Sequence, residues 1–374
     1  MKLQRTIPPT AAPLSFGDLL CSVSSLLGGQ RHRARRVIEL KAHYGVRAAF
    51  LVSSGKAALT VILNALSASS ARRRVIIPAY TCFSVPSAIV KAGLEVVLCD
   101  VDPNTLDFNF AELEGLLDEH VLCVVATHLF GRPADIGRVK QLCEGRGILV
   151  VEDAAQAMGG RAGGRPIGTI GDVGFFSLGR GKNMTCGTGG IILTSSASIA
   201  NGIEAAYGTL PEAPRIEVFR NWLELLIMRV FIHPALYWFP AGLPFLGLGE
   251  TKFYTDFHCF RMDDVRAHLL NGWQRRLARA NQERSARARW LIEGLDLARK
   301  GVKPIMGEGS LFLRLPVLVS GREAKEAVCR LSREQGAGLS PNYPATVQEI
   351  PELAGQLAGR RYPGAQEVVD RLVT

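Results

Sequence analysis

Two side chains in neighbouring stretches could do together what neither does alone. The run ILVVEDAAQAMGG (148–160) carries Asp153, and GDVGFFSLGRGKNMTCGTGG (171–190) carries Lys182. A lysine amine can hold an aldehyde covalently, and a carboxylate can keep a ring nitrogen protonated. Pyridoxal phosphate needs both, because its protonated ring is an electron sink. An ordinary ion pair between a surface lysine and a strand-end aspartate is the other reading. The pair by itself leaves both open.

The flanking elements must place these groups. Ile148–Val151 is a continuous apolar run, as in a buried parallel strand, and it delivers Glu152 and Asp153 to its carboxyl end. Val173–Phe176 reads as a second short strand, ending in Ser177 and leading through a glycine-containing turn to Lys182. Reactive groups of open α/β sheets gather at strand carboxyl ends, so the carboxylate and the amine are expected to meet there. Upstream, Ala48–Val52 reads as a strand running into SSGKAAL and a helix through Leu66. A strand, a Ser-Gly turn and a helix make an anion site, with Gly55 allowing close backbone approach. Val75–Pro78, Val96–Val101 and Cys123–Thr127 are further strands, the last running into His128, and Asp135–Cys143 is a helix. The bland reading of His128 is a hydrogen-bonded core histidine. Strands and helices alternating at this spacing predict a parallel sheet with right-handed crossovers.

The segments EDAAQAMGG, GDVGFFSLGRGKN, CGTGG, THLFGRPADI and SSGKAAL resemble the DegT/StrS-type sugar aminotransferases. The resemblance runs from about Phe50 to Leu193 and resumes at Arg261 and at YPGAQEVVDRLVT. It implies a three-layer α/β/α fold of the aspartate-aminotransferase type (fold type I), with a mostly parallel sheet and a smaller C-terminal α+β domain. It implies pyridoxal 5'-phosphate held by Lys182, with Asp153 at the ring nitrogen, as the two catalytic residues, and no metal. Ser54, Gly55 and Ser177 would receive the phosphate, and Gln156 would lie beside the ring. Several positions depart from the family pattern. Lys56 stands where threonine is usual, Met158 where histidine is frequent, and Thr188 where an acid is usual, so Thr188 receives no catalytic role. Cys82 occupies the ring-stacking position, with Tyr80 and Phe83 as the other candidates. Cys259 replaces an asparagine that reaches the neighbouring subunit's phosphate; Arg261 or Lys56 could compensate.

The implied activity is amino transfer, with glutamate as donor, to a nucleotide-linked keto sugar for surface polysaccharide or glycoconjugate synthesis, in a homodimer with shared active sites. Three rivals stand beside it: other chemistry on the same fold, a non-catalytic relative serving as scaffold or regulator in a glycan-assembly complex, and a nicotinamide dehydrogenase. Lys182 argues against the related dehydratases, which lack the lysine. A nicotinamide dehydrogenase would need GxGxxG after the first strand, and SSGKAAL is not that motif.

Composition sets the outer bounds. With 374 residues, residues 1–256 are expected to form an N-terminal arm and the cofactor-binding domain, and 257–374 an interdomain helix and the small domain. The latter is read as a helix to about Leu295, a strand Leu311–Val319 and a helix Arg322–Gln335. The eight cysteines show no CxxC spacing, and the prolines of MKLQRTIPPTAAPL interrupt any signal segment, so a reduced, cytoplasmic protein is expected. The net charge of +10 gathers partly in RHRARR (31–36) and in 275–289, the latter with helical spacing. No nucleic-acid module accompanies these runs, so no nucleic-acid partner is expected.

Residues 216–256 depart from the family's usual connection. LLIMRVFIHPALYWFPAGLPFLGLG is strongly apolar, yet Pro234, Pro240 and Pro244 break it, and Arg229 and His233 add desolvation cost, which excludes a simple membrane-spanning helix. Three readings stay open for it: a dimer or domain-interface cover, a peripheral contact of 223–248 with the inner face of a membrane, and a patch for a protein partner.

Overall fold

The structure is a computed structural model that describes residues 5–8, 14–26, 31–243, 247, 251–297 and 299–374. Part of the apolar stretch read from the sequence, 244–246 and 248–250, lies outside the described residues. Two helices lead in, α1 (Phe16–Val23) and α2 (Arg31–Tyr44). The α/β core follows as β1 (Ala48–Val52), α3 (Gly55–Ser67), β2 (Arg74–Pro78), α4 (Ser84–Lys91), β3 (Glu95–Cys99), α5 (Phe110–Leu116), β4 (Val121–Thr127), α6 (Ile136–Cys143) and β5 (Leu149–Asp153). A small hairpin, β6 (Arg161–Ala162) and β7 (Arg165–Pro166), precedes β8 (Val173–Ser177), β9 (Gly190–Thr194) and α7 (Ala197–Gly208).

The main sheet runs in the order β1-β9-β8-β5-β4-β2-β3. Only β9 is reversed: it pairs antiparallel with both β1 and β8, while β5 pairs parallel with β4 and β8. β2, β4 and β5 are apolar almost throughout because helices cover both faces of the sheet. One core, with Ile62, Ile77, Val125 and Phe175, packs α3 and α4 on one face; another, with Phe176, Leu178 and Tyr44, packs α2 on the other. Met262, Leu269, Trp273 and Leu277, which follow residue 256, belong to the second core.

The apolar stretch folds as α8 (Arg215–Phe231) and α9 (Trp238–Ala241), with α8 ending before Pro234, whose missing N–H cannot continue the helix. No described helix is long and apolar enough to cross a membrane. Next come α10 (Asp264–Leu269) and α11 (Trp273–Gly294). The small unit contains β10 (Lys303–Pro304), β11 (Val317–Leu318), α12 (Arg322–Gln335), α13 (Ala354–Leu357), α14 (Pro363–Arg371) and β12 (Leu372–Val373). Its three strands pair antiparallel in the order β10-β11-β12.

The strand expected over 311–319 is reduced to Val317–Leu318. Phe312 has φ 50°, and the Leu311 N–H donates to the Gly131 carbonyl at 2.9 Å, so the chain is drawn onto the large sheet's loops before it can pair. The Asp100 carboxylate, just after β3, accepts the Gly364 and Ala365 N–H groups at 2.8 and 2.7 Å. That cap fastens the start of α14 to the large sheet and sets the small unit over the strand carboxyl ends.

Candidate active site

The carboxyl ends of β1, β5 and β8 lie at the same end of the sheet, and Gln156 and Lys182, which follow β5 and β8, line a cavity there. Ser54 caps α3, its Oγ accepting the Ala57 N–H at 3.0 Å. A Cβ on Gly55 would lie 2.9 Å from the Ser177 Cβ, so only glycine lets the start of α3 approach the end of β8 this closely. The first N–H groups of a 13-residue helix and the Ser177 hydroxyl thus form a cradle for an anion.

Beyond Ser177 the chain turns through Gly181 at φ 73° and presents Lys182. The loop is pinned from behind by α11: Arg284 donates to the Lys182 and Asn183 carbonyls, and Asn183 Nδ2 donates to Asn281 Oδ1 at 3.1 Å. Among the described residues the Lys182 amine has no hydrogen-bond partner. Burial lowers its pKa, and Arg314 pushes the same way, while Cys82 and Asp153 oppose them. Asp153 ends β5, buried, and accepts one hydrogen bond, from the Ala155 N–H at 3.0 Å. Burial raises its pKa, against the pull of that N–H, Lys182 and His128. Amine and carboxylate therefore sense each other across the site without an ion pair between them, which leaves room for a group that takes one at each end.

Glu152, one residue earlier, points to the opposite face and is structural. It accepts the Gly168 N–H at 2.9 Å, the Gly171 N–H at 2.6 Å and the Ile170 N–H. His128 Nε2 lies 3.1 Å from its Oε2, and His128 Nδ1 accepts the Ala134 N–H at 2.9 Å, which assigns the ring proton to Nε2. Both ring nitrogens are used, and His128 is a core histidine.

Gln156 lines the cavity, with Oε1 accepting the Phe130 N–H at 3.0 Å and Nε2 donating to the Tyr343 hydroxyl at 2.9 Å. Of the three stacking candidates, Cys82 lines the cavity. Tyr80 and Phe83 are buried in the large core, Tyr80 against Tyr343 with ring centroids 5.3 Å apart. The structure does not bring the heads of Lys56 and Arg261 to the cradle. Lys56 Nζ lies 3.2 Å from the Tyr254 ring centroid, held by cation–π attraction. Arg261 donates to the Tyr207 and Gly208 carbonyls at the end of α7 and faces Glu212. Only the backbone of Lys56 remains with the cradle.

Sequence reasoning missed two groups. Arg314 and Tyr343 both line the cavity beside Lys182. Arg314 donates to Asn342 Oδ1 at 3.1 Å and has no carboxylate partner among the described residues; burial lowers its pKa, against Tyr343, Tyr80 and Tyr237. The signal available was a lone arginine inside LFLRLPVLV, where a strand core has no use for a charge.

With this geometry in hand, residues 35–212 match the DegT/DnrJ/EryC1/StrS aminotransferase family. A UDP-N-acetyl-3-dehydro-alpha-D-glucosamine 3-aminotransferase of Acidithiobacillus ferrooxidans is 31% identical over 49% of this chain and 49% of its own length. An L-glutamine:2-deoxy-scyllo-inosose aminotransferase of Micromonospora echinospora is 28% identical over 86% of this chain and 75% of its own. The chain spans about half the length of the curated relatives it matches first. Among solved structures, Helicobacter pylori PseC, an aminotransferase of pseudaminic acid biosynthesis, superposes with TM-score 0.79 at 14% identity, covering 98% of this chain and 93% of that one. The architecture is therefore the α/β aminotransferase fold that the sequence predicts.

Proposed function

We propose that this chain, which carries a DegT/DnrJ/EryC1/StrS aminotransferase family domain, is a pyridoxal-phosphate-dependent aminotransferase acting on a keto sugar. The observation that carries this reading is the half-buried amine of Lys182, which lines the cavity, facing the buried carboxylate of Asp153 near an anion cradle. The residues fit the cofactor. The N–H groups at Gly55 and Lys56, with Ser54 and Ser177, would receive its phosphate. Asp153 would meet the ring nitrogen, Lys182 would bind the aldehyde, and Cys82 and Gln156 would flank the ring. When bound, pyridoxal phosphate supplies an aldehyde to capture amines and a ring that withdraws electrons from the adjoining carbon.

The chain's own groups do the rest. Burial keeps Lys182 Nζ low in proton affinity, so it can take a proton from the donor's Cα and deliver it elsewhere in the same site. Asp153 holds negative charge where a ring N–H needs it. Arg314 offers an uncompensated guanidinium to a substrate carboxylate or phosphate, and Tyr343 is fixed by Gln156 to close the other side.

The relatives' names support a nucleotide-linked keto sugar as acceptor, and a glutamate-type donor suits Arg314. A homodimer completes the reading, because the heads of Lys56 and Arg261 are engaged elsewhere and a second copy would supply the cation at the phosphate. Peripheral contact of 223–248 with a membrane belongs to it too, supported by the exposed apolar side chains of α8. A screen of nucleotide-linked keto sugars with glutamate, read as release of 2-oxoglutarate, tests the activity. No release from any of them, from protein that binds the cofactor, would overturn it.

A further inference from the structure

The cavity above Lys182 has two unlike ends. It encloses about 730 Å³, within the range of small-ligand sites. Near Lys182 its wall is polar: Gln156, Arg314, Asn342 and Tyr343. The opposite wall belongs to α8, α9 and the residues that follow each: Met228, Phe231, Ile232, Phe239, Pro240 and Leu243. Phe231 and Phe239 hold it together, with ring centroids 5.6 Å apart.

Charge distinguishes what this wall can receive. The charged groups lining the cavity besides Lys182 are Arg180, Glu224 and Arg314. Arg180 and Glu224 pair with each other, so neither offers a free charge. Among the described residues the apolar wall therefore has no unpaired cation of its own chain for a diphosphate, and the hydroxyls nearest it are those of Tyr237, which lies toward Arg314 at the polar end, and of Thr251. It has aromatic and aliphatic surface continuous with the catalytic pocket, and leaving that surface in water costs free energy in proportion to its area. α8 also packs directly on the catalytic loop, where a Cβ on Gly187 would lie 2.8 Å from Leu225. The wall is thus fixed to the loop that carries Lys182.

We propose that the substrate aminated at Lys182 is amphiphilic: its keto end reaches Lys182 and a hydrocarbon chain attached to it lies along the α8–α9 wall. This rests on the aminotransferase reading for the reacting end, and it puts a hydrocarbon chain in place of the nucleotide as the group that holds the keto substrate. Isoprenoid and acyl chains share the required chemistry.

The test uses the full chain loaded with pyridoxal phosphate and reads binding by quenching of tryptophan fluorescence, since Trp238 begins α9. The probes are hexanoate, octanoate, decanoate and dodecanoate, with farnesyl phosphate and UDP. Affinity is expected to rise about tenfold per two-carbon step, as burial of methylene groups requires. Phe239→Ser and, separately, Leu243→Ser should flatten that slope, while borohydride still fixes the cofactor to the Lys182 peptide. Farnesyl phosphate binding above dodecanoate assigns an isoprenoid chain; the reverse order assigns an acyl chain. A slope near zero, UDP binding more tightly than every chain, or a slope unchanged in both variants overturns the proposal. Failure to fix the cofactor in the parent protein overturns the aminotransferase reading instead, and leaves the chain-length slope to be judged by itself.

Discussion

Burial decides how Lys182 behaves. An exposed lysine is charged and inert at neutral pH, but here desolvation and the nearby Arg314 depress its pKa, and Asp153 is among the groups that hold it up. The neutral amine is the form that attacks an aldehyde, so capture of pyridoxal phosphate rises as pH rises through this lowered pKa, not through the ordinary value of 10.5. Asp153→Asn removes a negative charge that favours the protonated amine, and Lys182 should then titrate still lower. Borohydride trapping followed by peptide mass, across pH, should show the rising limb displaced to lower pH in that variant, with turnover severely reduced. A limb displaced upward would mean that another carboxylate sets the field. Lys182→Ala should lose the trapped adduct altogether and keep the fold by circular dichroism; an adduct on another lysine would remove the assignment. Arg314→Met should raise the KM for an anionic donor about 10- to 100-fold, as expected for a lost charge-assisted hydrogen bond, with trapping at Lys182 retained. Lys182 and Asp153 were legible in the sequence because strand ends and a glycine turn are local signals. Arg314 and Tyr343 were not, since they reach the site only when the small unit docks through Asp100 and α14.

The elements around the site are held by backbone groups that only particular side chains can serve. Glu152 gathers three N–H groups of the loop between β7 and β8, and so fixes the register at which β8 delivers Lys182. Burial alone would raise its pKa, but the hydrogen bond from His128, with those from the Gly171 and Gly168 N–H groups, outweighs it and the net shift is downward. A carboxylate with a folded pKa below its unfolded one adds stability above the unfolded value, and that stability is lost as pH falls through the folded pKa. Glu152→Gln should therefore cost about 3 kcal/mol at neutral pH, and its denaturation midpoint should fall less than the parent's on acidification through that window. Equal acid sensitivity in both proteins would assign the pH dependence elsewhere. Gly55 is the second such point. A Cβ there would meet Ser177, so Gly55→Ala should open the gap between α3 and β8 and weaken cofactor retention on dialysis. Strand and helix positions were largely readable: β1, α12 and the parallel pairing of β5 with β8 follow from apolar runs and periodicity. The strand expected over 311–319 was misread because periodicity cannot see Leu311 bonding to Gly131 across the molecule.

At the scale of the whole molecule, the chain presents an apolar face that neither its sheet nor the cavity beside Lys182 uses in full. On α8, Ile216, Phe219, Leu223, Ile227 and Val230 are 75, 50, 39, 50 and 38% exposed, at spacings of three and four residues, which aligns them along one helix face. Helix α1 lies against α8, with Trp222 Nε1 donating to the Leu19 carbonyl at 3.1 Å and Arg229 4.8 Å over the Phe16 ring. It adds Phe16, Leu20 and Val23, all exposed, to the same neighbourhood. The sequence revealed the apolar density of this segment but not its two-sidedness. One side of the insert lines the cavity, and the other forms a stripe flanked by the exposed Arg215 and Arg220, with Ile227 at the border between the two. A stripe of this kind beside basic side chains suits the headgroup region of an anionic bilayer, where apolar burial and charge attraction add. The full chain should therefore sediment with vesicles containing phosphatidylserine, and less so as salt screens the attraction. Phe219→Glu combined with Leu20→Glu should abolish sedimentation, while borohydride trapping at Lys182 continues unchanged, because neither side chain lines the cavity. Sedimentation equilibrium of the same variant separates the alternative. If the parent protein ignores vesicles and the substitutions convert a dimer to a monomer, the stripe is an interface between copies, and the bilayer contact is wrong.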